Sequence, residues 1–393
     1  MKTINRTKPV LVTGGTGYLA SWIIKLLLEE GLTVHTTVAS IRNEKQYNYL
    51  QELQNQSPGK LVFFEADFLD EGSYEEALQS CELVFHTGYP FQISSIKDSN
   101  KQLITPAIQG VRNLFFSADV AGDVRRIVFT SSISAMAGDS SKANTISDRK
   151  INESHWNNTS TPNHHPYSYA KTIAEKEAWS LSEKFHNFDL VVINPGLMLG
   201  PSLNKRIKST SIDLMIRLFS SKLEEDMSCK NQAFVDVRDV AKAHLRAGFD
   251  TATTGRHLTA AHLTSFHEVA QVVRKYYPNY TTPQKLVTDR LFKLLTPFLN
   301  HSSRFVDENI GFDFSFDNSY TRKDLQIDFL PLEKTILDHI DQLAEDLLIS
   351  INNESDNSRS HRISWERIDE NAHSRQYVFE RYHSQQTGNR LPS

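Results

Sequence analysis

Short apolar runs alternate with amphipathic stretches along the first half of the chain. The apolar runs predict buried strands at Val10–Thr13, Leu32–Val38, Leu61–Phe64, Leu83–His86, Arg126–Thr130 and Leu190–Asn194. The stretches between them predict helices over Tyr18–Glu30, Glu44–Gln54, Ser73–Gln79, Ala107–Asp119 and Tyr167–Phe185. Regular alternation of strand and helix predicts an α/β fold built on a doubly wound parallel sheet.

The alternation of strand and helix becomes less regular after Pro195. There the pattern predicts one strand at Phe234–Val237 and helices over Ser211–Leu223, Phe266–Tyr276 and Leu332–Leu348. We therefore predict two domains. The larger one comprises residues 1–196 and 234–258, and a smaller mixed α/β domain comprises residues 197–233 and 259–349. Residues 351–393 contain six arginines and no lysine. We predict that residues 350–393 form a polar tail, which is either disordered or a helix that docks on a partner chain.

Composition narrows the classes of function that the chain can have. Its 393 residues carry a net charge of −4, so the basic footprint of a nucleic-acid-binding protein is absent. Two cysteines, Cys81 and Cys229, exclude a disulfide scaffold and a cysteine-based metal centre. No apolar run approaches the roughly 18–20 residues that span a bilayer, and the polar start at Met1–Lys8 does not fit a signal peptide. We expect a cytoplasmic protein that neither enters a membrane nor binds nucleic acid.

A glycine-rich loop at Thr13–Ala20 directly follows the first strand and opens the first helix. Gly14 permits a tight turn, Gly17 permits close approach to a pyrophosphate, and Ala20 keeps the helix near the sheet. The helix N-terminus then offers free N–H groups to phosphates. The alternative is an ordinary glycine turn. The placement of the loop between strand and helix favours a Rossmann-type dinucleotide site in the larger domain.

The end of the second strand bears on the choice between NAD and NADP. No acidic residue stands there to hold the ribose hydroxyls of NAD. Arg42 and Lys45 follow the strand and are placed either to reach a 2′-phosphate or to remain solvated charges, so the pattern weakly favours NADP. Asp67, after the third strand, is placed to accept a hydrogen bond from an adenine amino group, and its alternative role is to form a turn.

A tyrosine and a lysine four residues apart, Tyr167 and Lys171, share one face of the predicted long helix. A nearby ammonium lowers the pKa of a phenol, and we expect this effect to fit Tyr167 for general acid–base work. Tyr169 lacks such a partner, since Ile173 stands four residues on. Ser132, at the end of a buried strand, is the candidate to polarise a substrate carbonyl, with Ser131 as its rival.

Seven pieces in this order resemble the extended short-chain dehydrogenase/reductases of the NAD-dependent epimerase/dehydratase superfamily, and among them the dihydroflavonol-reductase-like and yeast carbonyl-reductase-like branch. They are Thr13–Ala20, Asp67–Leu69, Val84–Phe91, Phe129–Ser132, Tyr167–Lys176, Asn194–Pro201 and Phe234–His244. The resemblance covers about residues 8–349. It implies an NAD(P)H-dependent oxidoreductase that reduces a ketone or aldehyde to an alcohol. We expect the enzyme to be a monomer or homodimer.

The resemblance also implies which residues carry the chemistry. It assigns catalysis to Ser132, Tyr167 and Lys171, with Tyr167 as the general acid/base. It assigns cofactor contacts to Gly14, Gly17, Tyr18, Leu19, Asp67, His86, Thr87, Gly88, Pro195, Gly196, Leu197 and Met198. Relatives that use NADP often carry an arginine where this chain has Ala39, and Arg42 is the candidate replacement.

Other functions share the same residues and stay open. These are an NAD-dependent nucleotide-sugar epimerase or dehydratase, a hydroxysteroid-type dehydrogenase and, more remotely, a regulator that binds a dinucleotide without catalysis. The tryptophan-rich signature of cinnamoyl-CoA-type reductases is missing before Tyr167, so that substrate is not expected. His164 and His165 are expected to be exposed loop residues, with the substrate mouth as the alternative. No histidine spacing indicates a metal site, and we predict none.

Overall fold

The computed structural model describes residues 3–89, 97–143, 150–205, 209–219, 231–278, 303–309, 312, 314–346 and 348–349. The predicted docking helix in 350–393 lies outside these residues, as does the part of the predicted helix Ser211–Leu223 that follows Phe219. Among the helices that the structure describes, none is both long and apolar enough to cross a bilayer.

The strands are β1 Val10–Thr13, β2 Thr33–Val38, β3 Lys60–Glu65, β4 Leu83–His86, β5 Arg126–Thr130, β6 Lys150–Ile151, β7 Asp189–Pro195, β8 Leu197–Leu199, β9 Gln232–Asp236, β10 Gly255–Thr259, β11 His262–Thr264 and β12 Ser315–Phe316. The helices are α1 Tyr18–Glu29, α2 Asn48–Asn55, α3 Glu75–Leu78, α4 Thr105–Ala121, α5 Ser140–Ala143, α6 Pro166–Lys184, α7 Thr210–Phe219, α8 Val237–Phe249, α9 Phe266–Tyr276, α10 Ser303–Asn309, α11 Ser319–Leu325 and α12 Leu332–Glu345.

Seven of these strands form one sheet in the order β10-β7-β5-β4-β1-β2-β3, and every pair in it is parallel. The order reverses direction between β1 and β4, so the carboxyl ends of these two strands border a crevice where ligands bind in doubly wound sheets. The predicted doubly wound α/β fold is confirmed.

Both faces of the sheet are covered, which explains why its strands are apolar on both sides. One buried cluster joins α1 and α8 to one face through residues such as Ile23, Leu27 and Val240. A second cluster joins α3, α4 and α6 to the other face through residues such as Leu114 and Ala174.

A second sheet of three strands, in the order β11-β9-β8, stands beside the carboxyl end of β7. Strand β8 begins two residues after β7 ends, so the chain passes from the large sheet into the small one at Gly196. Strand β10 returns to pair with β7 in the large sheet. The domain boundaries drawn from the sequence stay a prediction.

The predicted elements lie close to the observed ones where local pattern dominates. Strands β1, β4 and β5 and helix α9 have the predicted bounds. The predicted helix Glu44–Gln54 is instead a 3-10 turn at Glu44–Gln46 followed by α2, because only Leu50 of α2 is buried and the first turn packs little apolar surface.

Candidate active site

The loop between β1 and α1 has the backbone geometry that a phosphate site requires. Gly14 has φ +67°, and a β-carbon on it would lie 3.2 Å from the Cα of Gly88. A β-carbon on Gly17 would lie 3.0 Å from the Gly14 carbonyl oxygen. Within the described chain no side chain caps the N-terminus of α1. Its first N–H groups therefore suit the pyrophosphate of a dinucleotide, and the residues present fit that group.

Tyr18 and Leu19 contribute to this loop by their backbone, because their side chains are buried. The Tyr18 hydroxyl donates a hydrogen bond to the Gly200 carbonyl oxygen at 2.5 Å. This bond ties the start of α1 to the segment that follows β8. The cofactor-binding role of both residues stays a prediction that concerns their N–H groups.

The turn after β4 is fastened to the end of β1 through Thr13. The Thr87 hydroxyl donates to the Thr13 carbonyl oxygen at 2.7 Å, and the Thr87 and Gly88 N–H groups both donate to the Thr13 hydroxyl at 3.2 Å. Thr13 Oγ1 also lies 2.8 Å from Nδ1 of His86. Burial, with a smaller contribution from Lys171, lowers the pKa of His86 to about 3, so its ring is neutral at pH 7. The predicted residues His86, Thr87 and Gly88 thus lie beside the glycine loop.

The residues predicted near the adenosine end are all exposed. Arg42 lies in the turn after β2, and Lys45 lies in the 3-10 turn that follows. The Asp67 carboxylate accepts a hydrogen bond from the Leu69 N–H at 2.9 Å, so this residue forms the turn that was its alternative role. The cofactor contacts of these three residues stay predictions.

The predicted catalytic residues come from β5 and α6, on one face of the large sheet. Ser132 follows β5, and its hydroxyl accepts a hydrogen bond from the Ser134 N–H at 3.1 Å. The Ser132 side chain lies beside the Tyr167 hydroxyl and favours its phenolate form, which opposes the rise of the Tyr167 pKa. Lys171 lies one turn further along α6 and is buried. The structure therefore brings all three residues together.

The pKa of Tyr167 shifts in the direction opposite to the one expected from Lys171. Burial raises the pKa of Tyr167 to about 12, and the neighbouring Ser132 side chain opposes this only in part. Lys171 Nζ lies 6.0 Å from the centre of the Tyr167 ring, and its own pKa is lowered by burial to about 7 while Glu175 opposes that change. Tyr167 is therefore protonated at neutral pH and is ready to donate a proton.

A buried carboxylate that the sequence argument did not single out separates the two candidate serines. Glu175 accepts hydrogen bonds from the Ser131 hydroxyl at 2.5 Å, from the Asn194 side chain at 2.7 Å and from Arg256 Nε at 2.5 Å. The Ser131 hydroxyl is therefore hydrogen-bonded in the protein interior, whereas Ser132 lines the cavity described below. The signal available in the sequence is that Glu175 follows Lys171 by four residues on one helix face.

A cavity of about 430 Å³ opens against Ser132 and Tyr167. Three of the predicted cofactor-side residues, Gly196, Leu197 and Met198, also line it, whereas Pro195 is buried at the end of β7. The other described lining residues carry hydroxyl, amide, aliphatic or aromatic side chains, apart from a glycine and the imidazole of His165: Ile133, Ser134, Ala137, Gly138, Ser140, Ile151, Ser160, His165, Ser168, Ser209, Thr210, Ser211, Leu214, Asn231, Gln232, Ala233, Phe266, Asn309 and Phe314.

The two histidines before α6 are not exposed loop residues, which corrects the sequence expectation. His164 is buried, and its Nε2 lies 2.8 Å from Oδ1 of the buried Asp139. His165 lines the cavity, and its Nε2 lies 3.2 Å from the same oxygen. Asn309 donates to that oxygen at 3.0 Å. The Asp139 carboxylate contacts both imidazole rings, and the sequence argument did not predict these contacts.

Asp139, His164 and His165 have ligand atoms that all lie within 4.8 Å of one another, as in some metal sites. Ligands of a tetrahedral zinc ion at about 2.0–2.2 Å from the metal stand more than 3 Å apart. The 2.8 Å between His164 and Asp139 is instead the length of a charge-assisted hydrogen bond. The prediction that no metal is bound stays a prediction.

Comparison with known proteins decides the family. The sequence profile of the NAD dependent epimerase/dehydratase family matches residues 10–257. The chain belongs to this family. The predicted family is thereby confirmed.

Individual relatives extend the match into the C-terminal half. The chain is 36% identical over 280 residues to tetraketide alpha-pyrone reductase 2 of Arabidopsis thaliana, covering 70% of this chain and 84% of the relative. It is 30% identical over 347 residues to a cinnamoyl-CoA reductase of Medicago truncatula, covering 88% of this chain and 98% of the relative. A yeast methylglyoxal/isovaleraldehyde reductase solved in complex with NADPH superposes with a TM-score of 0.69 at 26% identity, covering 86% of this chain and 98% of that one. These relatives are reductases of small molecules, and the predicted enzyme class, an NAD(P)-dependent oxidoreductase, is thereby confirmed.

Proposed function

We propose that this protein is an NADPH-dependent reductase that converts a ketone or aldehyde into an alcohol. The observation that carries the proposal is the cavity that Ser132 and Tyr167 line together. NADPH, when bound, supplies the hydride. The reductases among the relatives, one of them solved with NADPH, support this choice of cofactor.

The side chains divide the remaining work between binding and proton transfer. Ser132 donates a hydrogen bond to the substrate carbonyl oxygen and thereby polarises it. Tyr167, protonated because burial raises its pKa to about 12, gives its phenolic proton to the same oxygen as the alcohol forms. Lys171 in its charged form favours the phenolate that remains on Tyr167, and its ammonium would hold the nicotinamide ribose of the bound cofactor. In the reverse direction Tyr167 accepts the proton.

The lining of the cavity favours an uncharged substrate. Among its described lining residues there is no lysine, arginine, aspartate or glutamate. A nucleotide-sugar diphosphate brings charges that need cationic partners such as arginine. The hydroxyl and amide groups that are present suit a neutral carbonyl compound with further oxygen atoms. This supports a carbonyl reductase over a nucleotide-sugar epimerase or dehydratase.

A cofactor-oxidation screen tests the proposal. Purified protein is offered aldehydes, diketones, ketones and a CoA thioester, with NADPH and then with NADH, and loss of absorbance at the nicotinamide band is followed. We expect turnover of an uncharged carbonyl compound with NADPH. Protein that retains stoichiometric NAD through purification and ignores added NADPH would contradict the proposal and favour the epimerase alternative.

Tyr167→Phe tests the proposed acid. This change removes the phenolic proton but keeps the ring, and we expect kcat to fall by about 10²–10⁴-fold. Tyr169→Phe is the matched control, since it removes a hydroxyl from the same helix two residues away and should leave kcat within about twofold. Equal turnover by Tyr167→Phe and the wild type would remove the mechanism.

We further propose a cytoplasmic location and a monomeric or homodimeric enzyme without nucleic-acid partners. Support comes from the composition, in particular from two cysteines in 393 residues and a net charge of −4. Size-exclusion chromatography with light scattering distinguishes the monomer from the dimer.

A further inference from the structure

Lys171 rests on the face of an aromatic ring that comes from a different part of the chain. Its Nζ lies 3.6 Å from the centre of the Tyr89 ring, in the loop after β4. The Tyr89 and Tyr167 rings meet edge to face with centroids 6.1 Å apart. Tyr89 therefore stands beside both the lysine and the tyrosine that the proposed reaction uses.

Few other groups compensate the positive charge of the buried Lys171 ammonium. Among the described residues, no carboxylate lies within ion-pairing distance of Nζ. Glu175, on the next turn of α6, favours the charged lysine electrostatically, but its oxygens are occupied by Ser131, Asn194 and Arg256. His86 carries no charge at neutral pH, and neither does Tyr167.

An aromatic face attracts a cation through the negative centre of its π system, and the attraction strengthens where water is excluded. The Tyr89 hydroxyl, for its part, is buried and has no hydrogen-bond partner among the described residues. The Tyr89 side chain therefore interacts with Lys171 through its ring face and not through its hydroxyl.

We propose that Tyr89 is a positioning residue whose ring face keeps the Lys171 ammonium charged and directed toward the cofactor and Tyr167. This inference rests on the proposed function, because it gives Tyr89 its role through Lys171. It concerns the side chain of Tyr89 and is separate from the predicted contacts of His86, Thr87 and Gly88 with the cofactor.

The test compares Tyr89→Leu with Tyr89→Phe. Leucine keeps apolar bulk but removes the aromatic face, whereas phenylalanine keeps the face and removes only the hydroxyl. Without the face, the pKa of Lys171 falls, so the charged form is lost at a lower pH. We expect the alkaline fall of kcat/KM in Tyr89→Leu to move down by about one pH unit relative to the wild type. Tyr89→Phe should retain the wild-type profile.

A binding measurement keeps this test independent of turnover. The Kd of NADPH is measured by the fluorescence of the nicotinamide from pH 6 to pH 9. The increase of this Kd with rising pH should begin at a lower pH in Tyr89→Leu than in the wild type. At pH 8 the Kd of the variant should be about tenfold higher than that of the wild type. Thermal unfolding of both variants shows whether either has lost its fold.

The outcomes separate the two proposals. Superimposable pH profiles for Tyr89→Leu and the wild type overturn the role of Tyr89. Equal displacement in Tyr89→Phe and Tyr89→Leu also overturns it, since the hydroxyl and not the ring face would then matter. Wild-type protein that binds NADPH but reduces no carbonyl compound contradicts the proposed function, while the binding profiles of the two variants still decide the role of Tyr89.

Discussion

Arg256 of β10 forms an ion pair with Glu175 of α6 in the interior of the protein, with 2.5 Å between Nε and Oε1 and 8% and 0% of the two side chains exposed. The same guanidinium donates through Nη1 to the carbonyl oxygens of Glu153 and His155. The pair therefore joins the edge strand of the large sheet, the helix that carries Tyr167, and the segment before that helix.

Glu175→Ala tests what this pair contributes. Removing one partner leaves the other charge buried and uncompensated, which costs about 3–5 kcal/mol of unfolding free energy. Urea unfolding followed by circular dichroism measures it. The matched control is Glu177→Ala on the same helix, since Glu177 pairs at 2.6 Å with an Arg112 side chain that is 55% exposed, and it should cost only about 0–1 kcal/mol. Equal losses in the two variants would refute the structural role of the buried pair.

Gly14→Ala tests the glycine loop. Gly14 has φ +67°, and the added β-carbon would meet the Gly88 backbone at 3.2 Å. Gly31 has φ +78° with open space around it, so Gly31→Ala carries the backbone strain alone. Each variant should lose about 1–2 kcal/mol of stability from that strain. Only Gly14→Ala should also raise the Kd of NADPH, by tenfold or more, because it displaces the loop. An unchanged Kd in a folded Gly14→Ala protein would exclude the loop as the cofactor site.

Buried histidines predict how stability depends on pH. Burial lowers the pKa from 6.5 to about 3 in His86, about 4 in His244 and about 3 in His339. Between pH 6.5 and 4 the unfolded chain therefore binds more protons at these sites than the folded chain. The unfolding free energy should be highest above pH 6.5 and fall as the pH drops toward 4, by up to about 1.4 kcal/mol per pH unit for each histidine.

Urea unfolding at pH 5, 6, 7 and 8 measures this slope. His244→Gln should reduce the slope of unfolding free energy against pH by the contribution of one histidine. The variant also loses the 2.8 Å contact with Thr130 and should therefore be less stable at every pH. A slope that is unchanged in His244→Gln would show that this histidine titrates alike in the folded and unfolded chains.

Predictions from the sequence succeeded where the local pattern of apolar and polar residues is sufficient to define an element. Apolar runs fixed the positions of β1, β4 and β5, and the spacing of Tyr167 and Lys171 placed them on one face of α6. These results depend on neighbours within a few residues, so periodicity is sufficient to find them. The same reasoning chose Ser132 but kept Ser131 as a rival, since both follow the strand directly.

Tertiary contacts decided the state of the site, because burial and partners come from distant segments. The pKa of Tyr167 rises, contrary to expectation, since the surroundings of its ring and not the lysine one turn away dominate. The Asp139 carboxylate contacts His164, which lies 25 residues away in the sequence, and Tyr89 contacts Lys171 from the loop after β4.

The sequence by itself determined the doubly wound fold, the family and the residue types available for hydride and proton transfer. Only the tertiary structure decided which serine faces the cavity, which groups carry charge there and what holds Lys171. The physical reason is that element formation is local, whereas desolvation and electrostatic pairing depend on groups that folding brings together.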